Sequence, residues 1–240
     1  MVFQNFKIIY FIPIILLTFG FFSIAKAEIP ETSSEIIKYF SYYTEGSNIK
    51  YTYKDWSTIL ASTVMRVGPS NRFKGRKAAP RTSSRIRLSN PKPSWLEGNR
   101  VVYDKLNEEH ITSVNYYRMA LESTPNVAPL ASLSKNEQLA YWLNLYNVTV
   151  YSKMAQEYPL VKTISLWKKK FWDEKGLFVE AKNLSLNDIQ NIVIANWDSP
   201  LVIYGLYQGS VGGPNIQNAA FTGENVWEKL NGSAKDFVNS

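Results

Sequence analysis

The chain has 240 residues, a formal net charge of +7, no cysteine and one histidine, His110. Without thiols, a cysteine nucleophile, a cysteine-ligated zinc site and thiol redox chemistry are all excluded. With a single imidazole and no calcium-loop spacing of carboxylates, we expect no metal and no cofactor.

The positive charge is concentrated in one segment. Ten of the 27 lysines and arginines lie between Arg66 and Arg100, where Glu97 is the only acid. Residues 69–100 also contain four prolines and no apolar periodicity, which predicts an irregular basic insertion with a short strand at 84–88. We expect it to meet an anionic envelope polymer or lipid headgroups, not nucleic acid, unless it is simply a solvated loop. The residues expected to make this contact are Arg72, Lys74, Arg76, Lys77, Arg81, Arg85 and Arg87.

The N-terminus is typical of a signal peptide. Lys7 precedes an almost wholly apolar run from Ile8 to Ile24, and Ala25-Lys26-Ala27 then matches a signal-peptidase site. We therefore expect cleavage after Ala27 and export of residues 28–240, as one domain, to a bacterial periplasm, with a secretory lumen as the second choice. The alternative is an uncleaved leader that anchors the same domain to a membrane.

Several helices can be predicted before the middle of the chain. Residues 31–68 show two helical patterns, the second capped by Asp55 and ended by Gly68. An extended piece at 101–103 and a helix from about Thr112 to Leu121 follow.

The strongest helical pattern starts at Ser134 and runs to about Glu157. Ser134 and Glu137 form a capping-box sequence. The apolar positions are Leu139, Trp142, Leu143, Tyr146 and Val150. The helix is apolar around more than half of its circumference, so we expect it to be central. Asn144, Asn147 and Tyr151 form a more polar line beside this stripe, and the two amides either bind the backbone of a neighbouring loop or line a pocket.

The remaining pattern predicts an α+β fold, a single helix-rich domain around a small β-sheet. A strand is expected at 178–181, a helix from Ser185 to about Ala195, a buried strand or helix at 202–207, and a terminal helix from Thr222. Between them, Gly209–Pro214 is either a tight turn that needs positive φ or a backbone cradle for an anion.

Three sequence blocks resemble a known family. Ala140-Tyr141-Trp142-Leu143-Asn144-Leu145-Tyr146-Asn147 is similar to the Ala-aromatic-Trp-x-Asn-Leu-Tyr-Asn signature of domain-of-unknown-function family 547, and residues 184–190 and 200–214 resemble its second and third blocks. The resemblance covers about residues 100–240 and implies a helix-rich α+β domain with no established reaction. Relatives carry a histidine where this chain has Ile203, and two cysteines where it has Gln208 and Gly213. The chain therefore resembles a divergent branch to which a thiol-dependent activity does not transfer.

Three functional hypotheses remain open from the sequence. The first is a non-enzymatic exported binding or scaffold protein. Its cleft would be lined by Asn144, Asn147, Tyr151, Gln208, Gly209, Gly212 and Gly213. The second is a thiol-independent hydrolase or transferase of the envelope, with Gln208 stabilising an oxyanion and Asp198 or Glu224 as base. The third is a purely structural envelope component.

Overall fold

A computed structural model describes residues 33–65, 98–159, 169–210 and 212–238. The α-helices in these ranges are α1 (Ser33–Tyr39), α2 (Lys54–Thr63), α3 (Glu108–Ser123), α4 (Lys135–Glu157), α5 (Lys169–Asp173), α6 (Leu186–Asn196) and α7 (Val226–Val238). The strands are β1 (Val64–Met65), β2 (Arg100–Val101), β3 (Leu177–Val179) and β4 (Lys182–Leu184). Short 3-10 helices cover Tyr103–Lys105, Thr124–Asn126, Leu130–Ser132 and Pro200–Gly205.

The long helix α4 lies at the centre of the fold, as predicted. The Ser134 hydroxyl accepts the Glu137 amide at 3.4 Å and so caps its N-terminus. Every residue from Glu137 to Ser152 is buried. A helix enclosed on all sides needs partners on all sides, and α3, α6 and α7 pack against it.

The strands form two small antiparallel ribbons, which confirms a helix-rich α+β domain. In the first, β1 pairs with β2 so that Val64 faces Val101. In the second, β3 pairs with β4 so that Leu177 faces Leu184. The strand content that the sequence predicted as one small sheet is thus divided between two ribbons.

Two predicted helix boundaries were wrong. The helix α2 ends at Thr63, not near Gly68, because Val64 and Met65 leave the helix to pair with β2. The helix α3 starts at Glu108, several residues before the predicted start, because the Asn107 side chain accepts the His110 amide at 2.9 Å.

The boundaries at the C-terminal side are closer to expectation. Ser185 and Asp188 form a reciprocal capping box, in which the Ser185 hydroxyl accepts the Asp188 amide and the Asp188 carboxylate accepts the Ser185 amide. The buried run after residue 200 is a 3-10 helix. The terminal helix starts at Val226, and the Thr222 hydroxyl accepts the Asn225 amide just before it.

Some predicted features lie outside the described residues. They are the signal peptide at 1–27 and the basic segment that contains Arg72, Lys74, Arg76, Lys77, Arg81, Arg85 and Arg87. Within the described ranges, none of the helices combines the length and the apolar character that crossing a membrane requires.

The turn between β3 and β4 has an unusual backbone. Glu180 and Ala181 adopt φ angles of 47° and 63°, although neither is a glycine. A two-residue hairpin loop with both central φ angles positive normally carries Asn-Gly or Gly-Gly, because a Cβ atom is disfavoured there. The predicted strand at 178–181 therefore ends at Val179, and the two residues after it form a strained turn.

Replacing Ala181 by glycine should relieve that strain. We expect Ala181→Gly to raise the free energy of unfolding by about 1 kcal/mol, since glycine accepts positive φ without steric cost. The same change in the helical interior, Ala120→Gly, should lower it by about 1 kcal/mol. Urea denaturation measures both, and two shifts of the same sign would contradict the assigned turn geometry.

Candidate functional site

Asn144 binds the backbone of the segment that precedes α7. Its Nδ2 donates to the Phe221 carbonyl at 2.8 Å, and its Oδ1 accepts the Phe221 amide at 3.0 Å. The side chain is fully buried, so these two bonds satisfy backbone groups that water cannot reach. This geometry matches the structural alternative considered for the amide.

Asn147 makes the same kind of contact one helical turn further along. Its Nδ2 donates to the Gly205 carbonyl at 2.9 Å, while its Oδ1 accepts the Tyr207 amide at 2.9 Å. The two asparagines thus fix two separate loops to one side of α4. Both side chains use their amide groups on protein backbone.

Tyr151 continues this line towards the C-terminal end of α4. It is fully buried, with its ring edge-on to Trp56 at 5.6 Å and tilted against Tyr103 at 5.5 Å. Burial raises the pKa of its hydroxyl, with Thr63 acting in the opposite direction. The residue is part of an aromatic core cluster.

The turn after Tyr207 packs closely on α4. Gly209 has φ of 68°, and a Cβ atom there would lie 2.2 Å from Met154 Sδ, so both the conformation and the close contact require glycine. Gly213 is buried, and a Cβ atom on it would lie 3.2 Å from Gln208 Cβ. The structure therefore brings together the two positions at which the resemblance places cysteines in relatives. Gln208 and Gly212 are exposed.

Of the two acids considered as catalytic bases, Glu224 lies far from Gln208. Glu224 is exposed and pairs with Lys50 at 2.5 Å, beside the N-terminal end of α4, where Gly223 contacts Glu137. The turn of Gln208 contacts α4 at Met154, roughly 25 Å away along the helix axis. Gln208 and Glu224 therefore do not share a site. Asp198 is exposed at the end of α6.

Glu137 is a buried carboxylate that the sequence predicted only as a capping residue. Its Oε1 accepts the Gly223 amide at 3.1 Å, so it binds the segment before α7. Its Oε2 has no hydrogen-bond partner among the described residues. Burial raises the pKa of this carboxyl above its ordinary value of 4.5, although the Gly223 amide and Lys50 oppose the shift.

The raised pKa predicts a pH dependence of stability. Because the folded protein holds this proton more tightly than the unfolded chain, the stabilisation from Glu137 is complete below about pH 4.5 and is lost as the pH rises through the folded pKa. Glu137→Gln should therefore lose less free energy of unfolding than the parent chain as the pH rises from about 4.5 through the folded pKa. The exposed Glu45→Gln is the matched control, and equal pH profiles for Glu137→Gln and the parent would contradict the prediction.

The two hydrogen bonds between the Asn144 side chain and the Phe221 backbone, which we call the Asn144 clamp, give a second prediction. Asn144→Ala should lower the free energy of unfolding by about 3 kcal/mol, because it leaves the buried amide and carbonyl of Phe221 without partners. The exposed Asn191→Ala on α6 should stay within about 0.5 kcal/mol of the parent. Denaturant unfolding compares the two, and similar small losses would show that the clamp is unimportant.

A polar cavity of about 220 Å³ lies between α3, the C-terminal half of α4 and the segment around β3. Its lining residues are Asn115, Arg118, Thr149, Ser152, Lys153, Gln156, Glu174, Lys175, Gly176, Leu177 and Leu186. We call it the polar cavity. Three cationic side chains face it, from α3, α4 and the residue before Gly176, against one lining carboxylate, that of Glu174.

Each cation of the polar cavity is positioned by a carboxylate. Arg118 pairs with Glu122, Lys175 with Asp188 at 2.6 Å, and the Lys153 Nζ lies 3.6 Å from the Glu174 carboxylate. Arg118 also donates Nε to the Asn115 side chain at 3.2 Å, and Lys153 donates Nζ to the Phe171 carbonyl at 3.2 Å. Because arginine has five N–H donors and lysine three, each cation still has a donor for a ligand. These pairs hold the cationic groups in place around the cavity.

Asp188 illustrates how this positioning works. Burial alone would raise the pKa of its carboxyl, but hydrogen bonds from Lys175 and Ser185 outweigh burial and lower the pKa. Asp188 therefore remains charged and connects the capping box of α6 to the edge of the polar cavity.

The sequence carries a signal for the polar cavity that the prediction missed. Thr149, Ser152, Lys153 and Gln156 recur at i, i+3, i+4 and i+7 on α4, and Asn115 and Arg118 are three apart on α3. A polar stripe at helical spacing on a buried helix indicates a face that meets other polar groups or a polar cavity and not the apolar core. The predicted cleft was placed at Asn144 and Asn147, which lie on the opposite half of the helix.

Within the part of the chain that the structure describes, no group of three or more histidine, cysteine, aspartate or glutamate side chains is placed to hold a metal ion. His110 is exposed at the start of α3, and its ring Nδ1 contacts the Asn107 side chain. Among the described residues, the polar cavity thus contains no metal-binding cluster, and His110 does not line it.

The fold is a helix-rich α+β domain in which the enclosed helix α4 carries two asparagines, Asn144 and Asn147, that bind the backbone of neighbouring loops. Residues 130–238 match the model of the family described as Protein of unknown function, DUF547, which confirms the resemblance over that part of the chain. It lacks the cysteines associated with relatives. The match covers all three blocks, and Asn147 of the first binds Gly205 and Tyr207 of the third. No curated protein and no solved structure matches the chain.

Proposed function

We propose that this protein is an exported, periplasmic, non-enzymatic binding domain that holds a small oxygen-rich anion in the polar cavity. The observation that carries the proposal is the convergence of Arg118, Lys153 and Lys175 on one cavity from three parts of the fold. Export rests on the predicted leader and its cleavage after Ala27.

The donors of the polar cavity support an anionic ligand. Next to the three cations lie the side-chain amides of Asn115 and Gln156 and the hydroxyl of Ser152. The Gln156 amide donates a hydrogen bond to the Ser152 hydroxyl at 3.2 Å. Planar guanidinium and ammonium donors bind carboxylate and phosphate oxygens strongly. A di- or tricarboxylate or a phosphate fits this set of donors.

The positions of the other candidate groups support binding over catalysis. Asn144 and Asn147 spend their amide groups on backbone, and Gln208 and Glu224 lie at opposite ends of α4. Gln208 and Glu224 thus belong to different regions of the surface. The basic segment is proposed to add contact with an anionic envelope polymer.

Thermal unfolding of the purified chain with added anions tests the proposal. Citrate, succinate and inorganic phosphate are compared at matched ionic strength, with glycerol as the neutral reference. A ligand at 100 times its Kd stabilises the folded state by about 2.7 kcal/mol, so a binding anion should raise the Tm by several degrees.

Variants locate the effect. Lys153→Met should remove most of the rise in Tm, whereas Lys54→Met, which replaces an exposed lysine on α2, should retain it. An equal response of both variants would place the anion outside the polar cavity. No response to any of the three anions would contradict the proposed ligand class.

A further inference from the structure

A second cleft, of about 290 Å³, lies between the end of α1 and the 3-10 helix at Leu130–Ser132. Its lining residues are Tyr39, Phe40, Tyr42, Pro129, Leu130, Ala131 and Glu180. We call it the tyrosine cleft. It shares no residue with the polar cavity, and its lining is mainly aromatic and apolar.

The tyrosines of this cleft are exposed. Tyr39 is 45% and Tyr42 is 63% accessible, and the neighbouring Tyr43 is 45% accessible. Other aromatic residues, such as Trp56 and Trp142, are buried in the core. Rings placed at the surface beside a cleft offer their faces to a ligand instead of to the core.

The two walls of the tyrosine cleft are fixed to each other. The Gln138 Nε2 donates to the Tyr42 carbonyl at 2.6 Å and to the Leu130 carbonyl at 2.5 Å, so one buried amide holds both walls. Thr44 adds its amide to the Leu133 carbonyl and its hydroxyl to the Ala131 carbonyl, both at 2.9 Å. The cleft is therefore preformed, which lowers the entropic cost of binding.

Glu180 supplies the only charge among the described residues that line the tyrosine cleft. Its Oε1 accepts the Leu130 amide at 2.7 Å, which holds the carboxylate at the cleft wall. The residue reaches this place through the left-handed turn between β3 and β4, with φ of 47°. Backbone strain of this kind persists where the surroundings fix it, and here it accompanies a carboxylate held at the cleft wall by the Leu130 amide.

The chain itself shows that these rings attract ammonium groups. The Lys182 Nζ lies 4.7 Å from the centre of the Tyr39 ring, and the Lys135 Nζ lies 5.5 Å from the centre of the Tyr43 ring. Both distances are in the range of cation–π interactions. Tyrosine rings of this segment thus accept ammonium groups, and of the two tyrosines that line the cleft Tyr42 is the more accessible, at 63%.

We propose that the tyrosine cleft binds a small organic cation, a substituted ammonium group that packs against Tyr42 and pairs with Glu180. The charge of the cleft is complementary to such a group, since its lining carries a carboxylate and tyrosine π-faces. A neutral sugar would use the rings without needing the charge, and an anion would be repelled by Glu180. This site is independent of the ligand proposed for the polar cavity.

The test compares choline with 3,3-dimethylbutan-1-ol, its neutral isostere, by calorimetric titration of the purified full chain. Choline should bind at least about fivefold more tightly, because the two molecules differ only in charge at nearly constant shape. N-acetylglucosamine is titrated in parallel as the carbohydrate alternative. Equal affinity for choline and the isostere, or binding of the sugar alone, would overturn the proposal.

Variants assign the binding to the cleft. Tyr42→Leu and Glu180→Gln should each weaken choline binding by about fivefold or more, and glutamine still accepts the Leu130 amide. The matched controls are Tyr116→Leu, an exposed tyrosine on α3, and Glu45→Gln, both of which should bind choline like the parent. Thermal unfolding confirms that each variant is folded. Parent-like binding by both cleft variants would overturn the assignment.

Discussion

The fold depends on the complete burial of α4. A helix enclosed on every side can keep polar side chains only where they meet other polar groups, because an unpaired buried amide costs on the order of 1–3 kcal/mol. Asn144 and Asn147 meet this condition by binding the backbone of Phe221, Gly205 and Tyr207. Burying the helix therefore also fixes the positions of the two loops, because the loops supply the hydrogen-bond partners of its asparagines.

The two candidate sites follow from this arrangement. Because the loops from the C-terminal region are fixed to one side of α4, the polar stripe of Thr149, Ser152, Lys153 and Gln156 faces a cavity shared with α3 and β3. At the other end of the helix, Gln138 holds the walls of the tyrosine cleft. The same helix thus supports a cationic cavity near its C-terminus and an aromatic, acidic cleft near its N-terminus.

The sequence predicted the central helix well because periodicity and the Ser134 cap agree there. It predicted the wrong end for α2, since Val64, which is β-branched, and Met65, which is flexible, fit a helix and a strand equally well. It missed the polar cavity although Thr149, Ser152, Lys153 and Gln156 recur at helical spacing, because a polar stripe alone does not show which elements lie opposite it. It missed the tyrosine cleft because no motif marks that cleft. The lining residues of the cleft come from separate elements, such as Tyr42 and Glu180, whose proximity is set by tertiary contacts and not by spacing along the chain.

The turn at Gln208–Pro214 shows what the loss of sulfur changes. The resemblance places cysteines in relatives at Gln208 and Gly213, and these two positions lie side by side in the structure. Here the residue before the turn, Tyr207, donates its backbone amide to the Asn147 side chain, a group that oxidants and reductants leave unchanged. The described residues of this loop are therefore held in position without a thiol or a disulfide.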